Sequence, residues 1–227
     1  MFGDLLSLFF PRSCAACGRS LYRNESLVCT YCQFHLPRTQ FHTYLENPVY
    51  RQFYGKVPVQ NATSLFYFSK KGAVQKLIHN LKYKGKSHIG EWAGEVLGRD
   101  LNIAPGYQGV HMILPVPLHP SKKRLRGYNQ SDFFARGLSA SMKIPYYTDI
   151  LVRERGTSTQ TRKSRFDRWL NVETVFALRS ADQCINKHIL IVDDVLTTGS
   201  TIAACAEKIL KVPGSKVSVA TIAYARL

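Results

Sequence analysis

The chain has 227 residues, 45% of them hydrophobic and 11% aromatic, which excludes a disordered tail and leaves room for one α/β domain with a small appendage. Its formal net charge of +16 calls for polyanionic partners, namely phosphorylated ligands, nucleic acid or acidic lipid, without choosing among them. The charge is uneven: residues 120–170 hold twelve Lys or Arg and four acids, a net +8.

Residues 1–11 are apolar but lack a basic start and a small-residue cleavage site, and they are far short of a membrane span. They are read as a short helix packed on the domain. Two CxxC pairs follow, Cys14 with Cys17 and Cys29 with Cys32, spaced C-x2-C-x11-C-x2-C. In a chain without an export signal this spacing points to metal, not disulfides, and suggests a cytoplasmic protein. Four thiolates favour tetrahedral Zn²⁺ and leave no open position, so the zinc is expected to be structural, with a redox role as the alternative. Arg12, Arg19, Arg23 and Tyr31 suit a nucleic-acid contact without deciding it. The expected division is 1–36 for the apolar helix and cysteine module, 37–60 for an irregular linker and 61–227 for the main domain.

In the main domain ATSLFYF (62–68) reads as a strand. Val74, Leu77, Ile78 and Leu81 fall at helical spacing, and Ile89, Trp92, Ala93, Val96 and Leu97 repeat it after a basic turn. The run 110–116 is too short for a helix and is ended by prolines, so it reads as a buried strand. Asn129 is placed to cap a helix with Phe133, Phe134 and Leu138 inward. HILIV (188–192) reads as a second buried strand, a helix follows it, and 217–223 reads as the last strand. Strands alternating with helices give a mostly parallel sheet covered on both faces, with ligands at the strands' carboxyl ends.

The chemistry concentrates in VDDVLTTGST (192–201). The expected strand ends at Val192, Asp193 and Asp194 leave its carboxyl end, and Thr197, Thr198, Gly199, Ser200 and Thr201 turn into a helix. Amides at a helix start lack intrahelical partners and carry the positive end of the dipole, which suits a phosphate. Gly199 lets the backbone approach closely. The acids suit a vicinal diol, and their mutual repulsion asks for a nearby cation, which Mg²⁺ on a diphosphate would supply. The plainer alternative is a strand with solvent-facing acids before a Thr-capped helix. No Walker motif and no GxGxxG fingerprint is present.

This segment closely resembles the 5-phosphoribosyl-1-pyrophosphate (PRPP) signature of type I phosphoribosyltransferases. The whole chain resembles the ComF family, phosphoribosyltransferase-like proteins linked to DNA uptake in naturally competent bacteria. The likeness rests on the cysteine module, LKYKGK (81–86), PVPLHP (115–120), RLRGYNQS (124–131), the region 157–160 and VDDVLTTGST. It implies a type I phosphoribosyltransferase fold, a mostly parallel sheet flanked by helices, beside a small N-terminal four-cysteine zinc module. It implies that Asp193 and Asp194 hold the ribose hydroxyls and that 197–201 cradle the 5′-phosphate. The pyrophosphate, with its Mg²⁺, falls to PVPLHP, where the amides of Val116, Leu118 and His119 are the available donors, and to Arg124 and Arg126. Proline makes a cis peptide cheap, so one is expected in this loop. A mobile loop over the ligand is implied in 153–171, with Thr157, Gln160 and Arg168 as candidates. PRPP is the expected partner. Single-stranded DNA and DNA-uptake proteins are the further partners, and a non-catalytic DNA-binding protein on the same fold is the alternative function.

Overall fold

The structure, a computed structural model, describes residues 12–154 and 175–226. Four parallel strands form the central sheet in the order β1 (Ala62–Phe68), β6 (Lys216–Ala225), β5 (His188–Leu196) and β2 (Met112–Pro115). Side chains alternate across β5: Leu190 and Val192 enter one core layer, Ile189 and Ile191 the other. The first layer is covered by helices α2 (Ala73–Tyr83), α3 (His88–Ile103) and α5 (Gln130–Met142). The second is covered by α6 (Ser200–Leu210), by residues 41–59 and by the small hairpin β3 (Leu151–Arg153) with β4 (Phe176–Leu178). A mostly parallel sheet with both faces buried is the expected fold class.

β5 does not stop at Val192. Its ladder with β6 runs on through Asp193 opposite Thr221 to Leu196 opposite Tyr224. The acids therefore belong to the strand, because β6 is long and buried enough to keep its neighbour paired past them. Alternation sends Asp193 and Asp194 to opposite faces.

Helices α3 and α5 cross at close range. A Cβ on Gly94 would collide with the Phe134 carbonyl oxygen, and one on Gly137 with the Glu91 carbonyl oxygen. This contact sets where the start of α5, and hence Ser131, meets the sheet edge.

A six-residue helix, α1 (Thr30–His35), belongs to the cysteine module. The module does not hang free: Cys14, Val28 and Leu36 share a core with Leu77 and Leu81 of α2, and Asn80 Nδ2 donates to the Ala15 carbonyl at 2.8 Å. Residues 37–60 carry one-turn helices at Phe41–Thr43 and Tyr50–Phe53. Asn47 organises them, its Nδ2 donating to the carbonyls of Phe41 at 3.0 Å and Ala62 at 2.8 Å.

The basic stretch after PVPLHP forms a short helix, α4 (Pro120–Arg126), with Pro120 in its first turn and Gly127 closing it. No peptide bond among the described residues is cis, which corrects the expectation for this loop. The extended strand simply runs on: the Val116 N–H donates to the Val192 carbonyl at 2.9 Å. The helix expected in 1–11 and the candidates Thr157, Gln160 and Arg168 lie outside the described residues.

Candidate functional site

The carboxyl ends of β5 and β2 open into a cleft of about 420 Å³. Asp193 and Asp194 both line it despite their opposite faces. Asp193 Oδ1 accepts from Ser131 Oγ at 2.9 Å and from the Asp194 amide at 2.8 Å. Asp194 is 8% exposed and pairs with Lys82 of α2, with Nζ 2.8 Å from Oδ1. Burial and then the neighbouring Asp194 charge push the Asp193 carboxyl up to about 7, against the Asp194 amide, Ser131 and Lys82, which lower it. The cation that paired acids require is thus supplied by the chain itself.

Beyond Leu196 the turn closes at Gly199, whose φ of +74° is a left-handed conformation. A Cβ there would lie 3.3 Å from Phe53 Cε1, so the turn is also pressed against the 50–53 segment. Lys56 Nζ donates to the Thr198 carbonyl at 2.6 Å and steadies the turn from the same side. Thr198 and Ser200 hydroxyls lie 3.0 Å apart. The result is a cup lined by Asp193 and residues 195–202, and it shares Asp193, Val195 and Thr201 with the larger cleft. The exposed hydroxyls of this cup, with the helix-start amides after Ser200, whose own N–H donates to Thr198 Oγ1 at 3.5 Å, suit an anionic oxygen cluster.

On the other wall lie Leu118, His119, Lys122 and Arg126. The Val116 amide is spent on Val192 and does not face the cleft as a donor, which corrects one of the three expected amides. Among the described residues the amides of Leu118 and His119 have no partner. His119 Nδ1 accepts from the Ser121 amide at 3.2 Å and lies 2.6 Å from Ser121 Oγ, so the imidazole caps α4. Arg126 lines the cleft, but Arg124 does not: residues 122 and 126 lie one turn apart on one face of α4, and 124 falls on the far side. Asn129 begins α5 without capping it. Its Nδ2 instead donates to the Val116 carbonyl at 3.1 Å and to Asp132 Oδ1 at 2.7 Å, tying this loop to the helix.

Lys82, Ser131 and Arg153 line the cleft without having been singled out as site residues from sequence, whereas Lys122 belongs to the basic run 122–126 expected beside the diphosphate, of which Arg124 and Arg126 are the favoured pair. Lys82 and Ser131 sit in LKYKGK and RLRGYNQS, so a signal existed for them without a role attached.

The four module sulfurs lie within 4.8 Å of one another, and those of Cys17 and Cys29 are 3.8 Å apart. Thiolates about 2.3 Å from a tetrahedral ion are about 3.8 Å from each other, so the set fits such an ion. The Cys29 amide donates to Cys14 Sγ at 3.3 Å. Burial pushes the Cys14 thiol up, but amides of Cys29, Cys17 and Ala16 outweigh it and bring it down to about 6. Cys32 is raised by burial and by its neighbouring thiols. Glu25 braces the second knuckle, accepting from the amides of Tyr22 at 2.8 Å and Thr30 at 2.6 Å.

Residues 130–226 match the family profile of the phosphoribosyl transferase domain. DNA utilization protein YhgH of Escherichia coli K12 is 30% identical over 209 residues, covering 91% of this chain and 87% of that protein. The chain belongs to the ComF family. Competence protein F of Haemophilus influenzae is 27% identical over 96% of this chain and 99% of its own length. Among solved structures, the Bacillus subtilis glutamine PRPP amidotransferase with ADP and GMP superposes with a TM-score of 0.40 and 19% identity. That match covers 59% of this chain and 26% of the amidotransferase, so the chain spans about a quarter of that enzyme. The fold of this ComF-family chain is the phosphoribosyltransferase type, with the four-cysteine cluster at its N-terminal side. Among the described residues no helix is long and apolar enough to cross a membrane.

Proposed function

We propose that this ComF-family chain binds PRPP with Mg²⁺ in the cleft and transfers its phosphoribosyl group, with release of pyrophosphate, in the service of DNA uptake. The observation that carries this reading is the junction at Asp193, Val195 and Thr201, where a carboxylate-lined cleft and a hydroxyl-and-amide cup meet. A phosphorylated sugar has that polarity: a diol for Asp193 and Asp194, and a 5′-phosphate for residues 197–201. Leu118 and His119 amides, with Lys122 and Arg126, stand where a diphosphate would extend. Among the described residues Asp193 and Asp194 each keep one carboxylate oxygen without a partner, a donor set that suits Mg²⁺ shared with phosphate oxygens. Bound there, Mg²⁺ would neutralise charge on the leaving diphosphate. The acceptor's lone pair forms the new bond to C1 of the ribose while the C1–O bond breaks and pyrophosphate leaves with its electron pair. The chain's part is positioning and charge.

Zinc is the ion we assign to the thiolate cluster, in a structural role. None of the six cysteines is paired in a disulfide among the described residues, which fits a reducing cytoplasm.

Titration of the full chain with PRPP and Mg²⁺, beside a double D193A/D194A variant, tests the site. Loss of binding in the variant is expected, and equal binding would overturn the assignment. Pyrophosphate release with a panel of nucleobase and amine acceptors then tests transfer.

A second reading rests on the cleft's outer rim. Lys122 is exposed at the cleft, and Lys84, Lys123 and Arg124 are exposed on the same two segments, Arg124 on the face of α4 turned from the cleft, as are Tyr83 at 58% and Leu125 at 82%. The Arg126 guanidinium lies 5.2 Å from the Tyr83 ring centroid, and neither 82–88 nor 120–126 contains an acid. Such a rim suits a single strand, with cations for its backbone and rings for its bases. Its affinity should fall steeply with salt. Binding that is absent at low salt removes this reading.

A further inference from the structure

Arg153 ends β3 and forms part of the cleft wall beside Asp193 and Thr201. Its guanidinium stacks on Phe176, 5.2 Å from the ring centroid. The Nε atom is buried and has no hydrogen-bond partner, and among the described residues the side chain forms no ion pair. Asp193, the acid sharing the same wall, is already engaged by Ser131 and the Asp194 amide. Among the described residues the other titratable group facing it is the buried thiol of Cys205 on α6. Arg153 as a whole is only half-buried, so beyond Nε its terminal N–H groups remain able to meet a ligand, and a cation without an anion of its own at a cleft wall is complementary to charge that the ligand brings. Burial correspondingly depresses the Arg153 pKa.

We infer that Arg153 takes an anionic phosphate oxygen of the ligand bound in this cleft, which Lys82 and Arg126 also line, with a charge-assisted hydrogen bond. The inference rests on the reading of the cleft as a site for a phosphorylated sugar. It adds a contact from the end of the hairpin strand β3, with a residue that was not among the candidates named in 153–171. Two phosphates could meet Arg153, the one on the sugar's 5′ carbon or the diphosphate, and both present the same chemistry.

The test compares the parent full chain with R153M and R153K. Methionine keeps an apolar stem against Phe176 and removes every donor. Calorimetric titration would use PRPP with Mg²⁺, ribose 5-phosphate alone, and pyrophosphate with Mg²⁺, beside thermal melts without ligand. R153M should melt at or above the parent temperature, since an unpaired buried donor is gone. It should bind PRPP at least about tenfold more weakly, with R153K in between. Whichever fragment loses affinity in R153M identifies the phosphate concerned. R153M that is folded and binds all three ligands within about twofold of the parent overturns the inference. If neither variant folds, Arg153 serves the core and the inference is again overturned. A parent chain that binds none of the ligands removes the reading beneath it, a result distinct from equal binding by parent and variant.

Discussion

Lys82 Nζ lies 2.8 Å from Asp194 Oδ1, and the two side chains are only 21% and 12% exposed. This pair joins the end of α2 to the end of β5 and lets two adjacent carboxylates coexist in one cleft. Removing the cation alone leaves a mostly buried carboxylate without its partner. K82M is therefore expected to destabilise the protein by roughly 1–3 kcal/mol in urea denaturation. The double variant K82M/D194N should recover much of that loss. A double-mutant cycle with no coupling would show that the pair contributes nothing.

Asp193 gives a prediction in pH. Its folded pKa of about 7 lies well above the value of roughly 4 expected in the unfolded chain. The folded state therefore holds a proton that the unfolded state releases between those values. The stabilising contribution is complete below the unfolded pKa and is lost as pH rises through about 7. D193N removes this dependence. Relative to the parent, it should gain stability between pH 5 and pH 8, on the order of 1–3 kcal/mol. Urea midpoints of both proteins across that range check it, and parallel profiles would contradict the assignment of the raised pKa to this residue.

Gly199 is held at φ +74° with Phe53 Cε1 3.3 Å from the place a Cβ would take. Alanine meets both the left-handed strain and the ring. G199A should lose about 1–2 kcal/mol of stability. It should also bind ribose 5-phosphate more weakly, because the cup's amides are displaced. F53A provides the control: space opened beside residue 199 should relieve part of the steric share in the double variant, though F53A alone costs core packing. Unchanged affinity in a folded G199A protein would mean that the turn does not hold the phosphate.

The outer strands could be read from the chain as short apolar runs with clear ends, and the long helices because each carries its own period. ATSLFYF spans β1 to the residue, and the Val74-to-Leu81 spacing marks α2. The end of β5 could not, since its extension past Val192 depends on β6 staying beside it. Helix α4 has no buried residue and so no inward period to read. Hairpin strands of three residues each leave no alternation long enough to detect. At the site, residues 193–201 were legible as a unit because strand end, acids and turn are contiguous. Lys82 and Arg153 come to the cleft from distant elements, and only the folded topology brings them to Asp194 and Asp193. Arg124 shows the converse: a basic cluster reads as one feature until a helix divides it into two faces.

The cysteine module carries the last prediction, because its core is continuous with that of α2. Cys14, Val28 and Leu36 share a cluster with Leu77 and Leu81, and Leu81 adjoins the lysine that holds Asp194. An ion bound by four thiolates stabilises the module directly, since its unfolded form has no preformed site. Purified protein should carry about one zinc per chain by elemental mass spectrometry. Stripping that ion with a strong chelator should lower the melting temperature, and adding zinc back should restore it. The loss should reach the cleft as well: loosening α2 frees Lys82, so the stripped protein should bind PRPP more weakly than the metal-replete form. Replacing Cys184 or Cys205, which lie outside the cluster, should leave the zinc content unchanged. A native chain with the full melting temperature and negligible metal would mean that the four thiols pack as they stand and that no ion supports α2.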